Sequence, residues 1–286
     1  MQLNKAIDNF KNHLQEKEKS QETISGYERD LNKLKNFLER SYNGMVFLDD
    51  ITSKDIDDYF YHLKNTGRHE ANSRNRYLYA IKSLFKFAQK KGYVKENIAR
   101  DVEPAATAQK IPVYLTYSEM QRFREALEHE LISVVVITLY YTGLRISELI
   151  NLKTYHINFQ QGYVYVLGKG KKERMIPLSR KLKPILLDYL QNKRPRVNSD
   201  HFFATKRTGK LSRVYVSERF KQANDKLNWK KQVTPHKLRH SFATNLIREG
   251  AELPYVQRLL GHENIETTTV YISTDYEDLE KTVNLL

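Results

Sequence analysis

Apolar residues in the first forty positions recur every three or four places: Ile7, Phe10 and Leu14, then Ile24, Tyr27, Leu31, Leu34 and Leu38. That spacing lines one face of a helix, and Ser20 between the two sets is a good N-cap, so residues 1–41 read as a helix pair. Ser53 reads as the cap of a third helix that runs through Leu63 and stops near Gly67. A fourth helix from Ser73 to Lys90 turns Tyr77, Leu78, Ile81, Leu84, Phe85 and Ala88 inward. Residues 1–103 are therefore predicted to form a small all-α domain.

The pattern then changes. Residues 104–112, Pro-Ala-Ala-Thr-Ala-Gln-Lys-Ile-Pro, have no apolar period and are closed by prolines, as in an extended linker. Helical spacing returns over Ser118–Leu127, Leu131–Thr142 and Ile146–Leu152. Strict alternation in Tyr163-Val-Tyr-Val-Leu167, a glycine turn and Arg174-Met-Ile-Pro-Leu178 predict a β-hairpin, after which helices resume. The expected architecture is mainly α with a small β-hairpin or sheet, in two domains: 1–103, and 113–286 beyond the linker.

Composition adds a partner. The chain has 286 residues, 40% hydrophobic, enough for two cores, and its 48 Lys and Arg against 34 Asp and Glu give a net charge of +14. The excess is shared by both halves, which points to a polyanion, nucleic acid first. No apolar run approaches the roughly 20 residues of a membrane span, and the N-terminus lacks a signal-peptide core, so a cytoplasmic protein is expected. With no cysteine, disulfides, thiolate catalysis and cysteine zinc sites are excluded, and any nucleophile must be oxygen or nitrogen.

Outward positions of the second and fourth helices carry Arg29, Lys33 and Lys35, and Asn75, Arg76, Lys82 and Lys86. Any one of these suits a solvated surface, but two such faces on a chain this basic favour contacts with DNA phosphates or base edges.

The stretch TPHKLRH carries candidate chemistry. Thr234 is a favourable N-cap and Pro235 a favourable first helical residue, so His236, Arg239 and His240 fall in the opening turns of a helix, at the positive end of its dipole. A zinc box of the H-E-x-x-H kind needs a carboxylate where Lys237 stands here, and Lys237 with Arg239 would repel a divalent cation. An anion fits better. Arg145 in TGLRISELINL, Lys169 in LGKGKKERMIPL, His262 in LLGH and Tyr271 in TTTVYIS share that character. Singly they read as an ion-paired arginine, a turn lysine, a helix-end histidine and a core tyrosine. Together they supply what phosphoryl transfer without a metal requires.

In this order, with the tyrosine nine residues after His262, these motifs resemble the tyrosine recombinase (phage integrase) family, close to its Xer-like members. The likeness spans nearly the whole chain, since the N-terminal helices are similar to that family's core-binding domain. It implies a clamp of two domains around duplex DNA at a specific recombination site. Four protomers, a homotetramer or a heterotetramer with a related recombinase, would join two sites, with an accessory protein as a further possible partner. It also implies cleavage and rejoining through a 3′-phosphotyrosine at Tyr271, with Tyr276 as a nearby rival, and without cofactor, metal or ATP. Arg145 and Arg239 would grip the phosphate, His236 would act as base, Lys169 as general acid with Lys171 or Lys172 as rivals, and His262 would donate a hydrogen bond to a phosphate oxygen. Glu148, one turn from Arg145, would orient it. The tail, with Leu279, Val283, Leu285 and Leu286 in a short helical pattern, reads either as a terminal helix folded on its own domain or, as the resemblance implies, as a segment that packs into a neighbouring protomer. Two other readings remain: a type IB topoisomerase-like enzyme that relaxes one duplex, and a non-catalytic DNA-binding regulator on the same scaffold. The same chemistry would serve resolution of chromosome or plasmid dimers, resolution of cointegrates, or integration and excision of a mobile element.

Overall fold

The computed structural model describes residues 1–107, 114–167, 173–261, 280 and 282–286. The chain divides into two compact units, Met1–Lys110 and Ile111–Leu286.

The first unit contains α1 (Leu3–Glu16), α2 (Gln21–Ser41), α3 (Ser53–Asn65) and α4 (Ala71–Lys90). Ser20 caps α2 as expected, its hydroxyl accepting from Thr23 N at 3.3 Å. The cap of α3 is Thr52, one residue before the predicted Ser53: Thr52 Oγ1 accepts from Asp55 N at 3.3 Å and Asp55 Oδ2 from Thr52 N at 2.8 Å. This reciprocal pairing satisfies two helix-start donors at once, which a cap at Ser53 would not achieve. Likewise α4 begins at Ala71, two residues before the predicted Ser73. The periodic residues Ile7, Phe10, Leu34, Leu38, Ile81, Leu84 and Phe85 meet in one core. Ala99 is buried there too, and Tyr93, Val94, Ile98 and Val102 pack against it, so the segment after α4 is part of the fold.

The second unit is built around α6 (Glu130–Thr142), buried on every side from Val134 to Thr142. Its two threonines stay satisfied there, because Thr138 and Thr142 donate back to the carbonyls of Val134 and Thr138 at 2.7 and 2.6 Å. Around it lie α5 (Tyr117–Glu125), α7 (Ile146–Ile150), α8 (Leu182–Asp188), α9 (Arg213–Leu227), α10 (Pro235–Arg248) and α11 (Leu253–Leu260). The sheet exceeds the predicted hairpin by one short strand. β1 (Ile157–Asn158), β2 (Tyr163–Leu167) and β3 (Glu173–Pro177) are antiparallel in that order, with Val164 opposite Ile176 and Val166 opposite Arg174.

The end of the chain has contacts on its own unit. Val283 is buried in this unit's own core, Asn284 Oδ1 accepts from Arg180 N at 2.9 Å, and Lys181 Nζ donates to the Leu286 carbonyl. An apolar side chain with cover available on its own unit is thereby removed from water.

Candidate active site

Three of the motifs converge on Arg239. It lies in the second turn of α10, whose start is as read: Thr234 Oγ1 accepts from Lys237 N at 3.2 Å and Pro235 is the first helical residue. The Arg239 side chain is buried, and it donates through Nη1 to Gly143 O and through Nη2 to Leu260 O, both at 2.6 Å. Gly143 ends α6 in a left-handed conformation, and Leu260 is the last residue of α11. Carbonyls at such helix ends lack intrahelical donors and sit at the negative pole of the helix dipole, so a buried guanidinium can satisfy both. One side chain thus ties the turn before Arg145 to the turn before His262.

Arg145 occupies the N-cap position of α7. Its backbone N donates to Glu148 Oε2 at 2.7 Å and its Nη1 to Glu148 Oε1 at 3.0 Å, the orienting contact that their spacing implied. The Arg145 side chain is 41% exposed, and its Nε and Nη2 have no hydrogen-bond partner among the described residues. Among the described residues, those donors are open to an anion.

Arg174, on β3, completes the group and was read only as a strand residue. It holds Glu148 with both arms, Nη1 to Oε1 at 3.0 Å and Nη2 to Oε2 at 2.8 Å, and its Nε donates to Leu259 O at 2.9 Å. A signal existed in the sequence. Strand alternation places Arg174 on the same face as buried Ile176, and a charge at a core-facing position calls for a buried partner.

These contacts set the electrostatics. Burial, then repulsion from Arg145 and Arg174 against the pull of Glu148, brings the Arg239 guanidinium down to about 10, so it stays cationic at neutral pH. Burial works against the Glu148 carboxylate, but hydrogen bonding and charge from Arg174, with the Arg145 donors, hold it below the usual carboxylate range. A carboxyl with a depressed folded-state value stabilises the fold above the unfolded value of about 4.3, and loses that contribution as pH falls through the folded one. The melting temperature of wild type should therefore drop more steeply than that of Glu148→Gln as pH is lowered from about 5 to 3. Parallel melting curves would show that Glu148 contributes no such linkage.

His236 is exposed in the first turn of α10, and His240 is half-buried with Nε2 3.3 Å from Thr244 Oγ1. Lys169, Lys171, Lys172, His262, Tyr271 and Tyr276 lie outside the described residues.

On the first unit, the predicted DNA face carries internal bonds. Arg76 donates through Nε and Nη2 to buried Asp30 at 2.7 and 2.9 Å. Asn75 clamps Ala105 by both backbone groups at 2.8 and 2.9 Å, and Lys82 Nζ donates to Arg100 O at 2.9 Å. Lys33 Nζ lies 2.8 Å from Tyr77 Oη, while Arg29 and Lys86 are exposed. Asn75 and Lys82 thus hold the segment that leaves α4, a role that their outward helical positions did not disclose. Arg76→Ala would strand the Asp30 carboxylate, and is expected to lower this unit's stability by roughly 1–3 kcal/mol, its partner being half exposed. Urea denaturation measures this, and a loss under about 0.5 kcal/mol would make the pair an ordinary surface one.

The phage integrase family model matches residues 113–278, and the phage integrase N-terminal SAM-like domain matches residues 7–92. A tyrosine recombinase of Thermosipho africanus is 33% identical over 279 residues, 94% of this chain and 95% of that protein. The tyrosine recombinase XerD of Staphylococcus epidermidis is 32% identical over 289 residues, 98% of this chain and 97% of that one. Among solved structures, a lambda integrase dimer bound to a core site superposes with a TM-score of 0.77 at 22% identity, covering 95% of this chain and all of that one. That last likeness concerns the fold.

Proposed function

Because the chain belongs to the phage integrase family of tyrosine recombinases, we propose that it cuts and rejoins duplex DNA at a specific site and exchanges strands between two such sites. The observation that carries this reading is the arginine cluster. Arg239 is fixed by two backbone carbonyls, and Arg145 is steered by Glu148 with two donor nitrogens left open among the described residues. A phosphodiester resists attack because its oxygens are anionic and further charge accumulates in the five-coordinate transition state. Preorganised guanidiniums meet that charge without the cost of reorienting water.

In the proposed reaction the Tyr271 phenol attacks the phosphorus, passing its proton to His236. The bond to the 5′ oxygen breaks, and Lys169 protonates that oxygen as it leaves. A 3′-phosphotyrosine and a free 5′-hydroxyl result, and attack by a 5′-hydroxyl from the second site reverses the step. His262 donates a hydrogen bond to a phosphate oxygen. The energy of the broken ester is kept in the new one, so the cycle balances without ATP. DNA-bound multimers are the expected working form, with a tetramer on two sites.

The test is to incubate the protein with duplexes from the neighbourhood of its own gene, without Mg²⁺ or ATP, and to isolate any protein–DNA adduct under denaturing conditions. Peptide mass spectrometry should map the phosphate to Tyr271. A map to Tyr276 would reassign the nucleophile. Tight binding without adduct on nicked suicide duplexes bearing the mapped site would overturn the recombinase reading.

A further inference from the structure

The proposed reaction needs Arg145 charged and aimed, yet the group nearest to it is a buried carboxylate. In a dry site an isolated Arg145–Glu148 pair would neutralise itself, leaving little field for a phosphate. Arg174 changes that balance. It reaches both Glu148 oxygens, its side chain is only 10% exposed, and its third nitrogen is taken by Leu259 O. Three guanidiniums around one carboxylate leave two net positive charges. A five-coordinate phosphorane formed from a diester carries two negative ones. Arg174 is also confined: a Cβ placed at Gly261 would come within 3.2 Å of its Cδ and Nη1, so the backbone itself walls it in. With all three nitrogens engaged inside the protein it is poorly placed to hold the phosphate directly.

We propose that Arg174 is a positioning residue for strand cleavage: by locking and neutralising Glu148, it lets the Arg145 guanidinium keep both its charge and its aim for the scissile phosphate. The inference rests on the recombinase reading for its chemistry but not for its geometry. A plain salt bridge would merely stabilise the unit. A positioning residue must in addition act through Arg145.

The test compares Arg174→Met and Arg174→Lys in the full-length protein. The methionine variant should bind duplex DNA within about threefold of wild type, yet form adduct about 10–100-fold more slowly under single-turnover conditions. Lysine, which restores charge without the fork, should recover part of the loss. In an Arg145→Ala background, Arg174→Met should cost less than about threefold, because the interaction it served is already gone. An undiminished cost in that background, or a rate loss matched by weakened DNA binding, overturns the proposal. Nitrogen-15 NMR of the arginine side chains in DNA-free protein decides the geometry separately. Removing Arg174 releases both Glu148 oxygens to Arg145, so the Arg145 guanidinium signal and its rotation should differ between wild type and Arg174→Met, and an unchanged Arg145 signal overturns the proposal even if wild type cleaves DNA. A wild type that forms no adduct would remove the recombinase reading, while the NMR comparison would still judge the positioning.

Discussion

Arg239→Lys should reduce the single-turnover rate of adduct formation by about 10²–10³-fold or more while DNA affinity changes little. The reason is geometric. One guanidinium spans Gly143 O and Leu260 O, each at 2.6 Å, from a buried position. An ammonium is a single point of donation and cannot span two carbonyls while facing a phosphate. One buried carbonyl would lose its partner, at a cost of about 1–3 kcal/mol in stability. The two turns that Arg239 joins, before Arg145 and before His262, would be tied less firmly. Rapid-quench measurement of adduct formation, beside filter binding and urea melts, separates these effects. A variant within tenfold of wild type would show that the clamp does not depend on the fork.

Gly143→Ala should destabilise the second unit by about 3 kcal/mol or more. Gly143 has φ +61°, where an L side chain is strained, and a Cβ there would lie 2.4 Å from Phe242 Cδ1 and 2.9 Å from Leu260 Cδ2. Phe242 is fully buried, so it has nowhere to withdraw. The same displacement would pull Gly143 O from Arg239, so activity should fall further than the fraction of folded protein does. Denaturant titration beside the adduct assay resolves the two. A loss under about 1 kcal/mol would mean that α6 and α10 repack with ease.

Much of this was legible in the sequence because it depends on near neighbours. The caps at Ser20 and Thr234 and the inward faces of α2 and α4 follow from hydrogen bonds and burial set within a few residues. The Thr52 cap was missed by one position because both Thr52 and Ser53 offer a hydroxyl, and only the reciprocal bond from Asp55 decides between them.

Outward-facing polar side chains were less legible. Asn75, Arg76 and Lys82 look alike on a helical wheel, yet their partners at Ala105, Asp30 and Arg100 come from elsewhere in the chain. The tail followed the same logic: its apolar spacing was clear, while the surface that covers Val283 was not.

The sequence by itself determined the order of elements, the basic character, the lack of cysteine and the candidate set of reactive side chains, since each is a property of residue type and local spacing. Only the tertiary structure decided that Arg239 turns inward to carbonyls on two other helices, that Arg174 and Arg145 share one buried carboxylate, and that Arg145 keeps donors open among the described residues. The contacts of Arg239 and Arg174 join residues far apart in the chain. A buried charge takes whichever partner the packed core brings within about 3 Å.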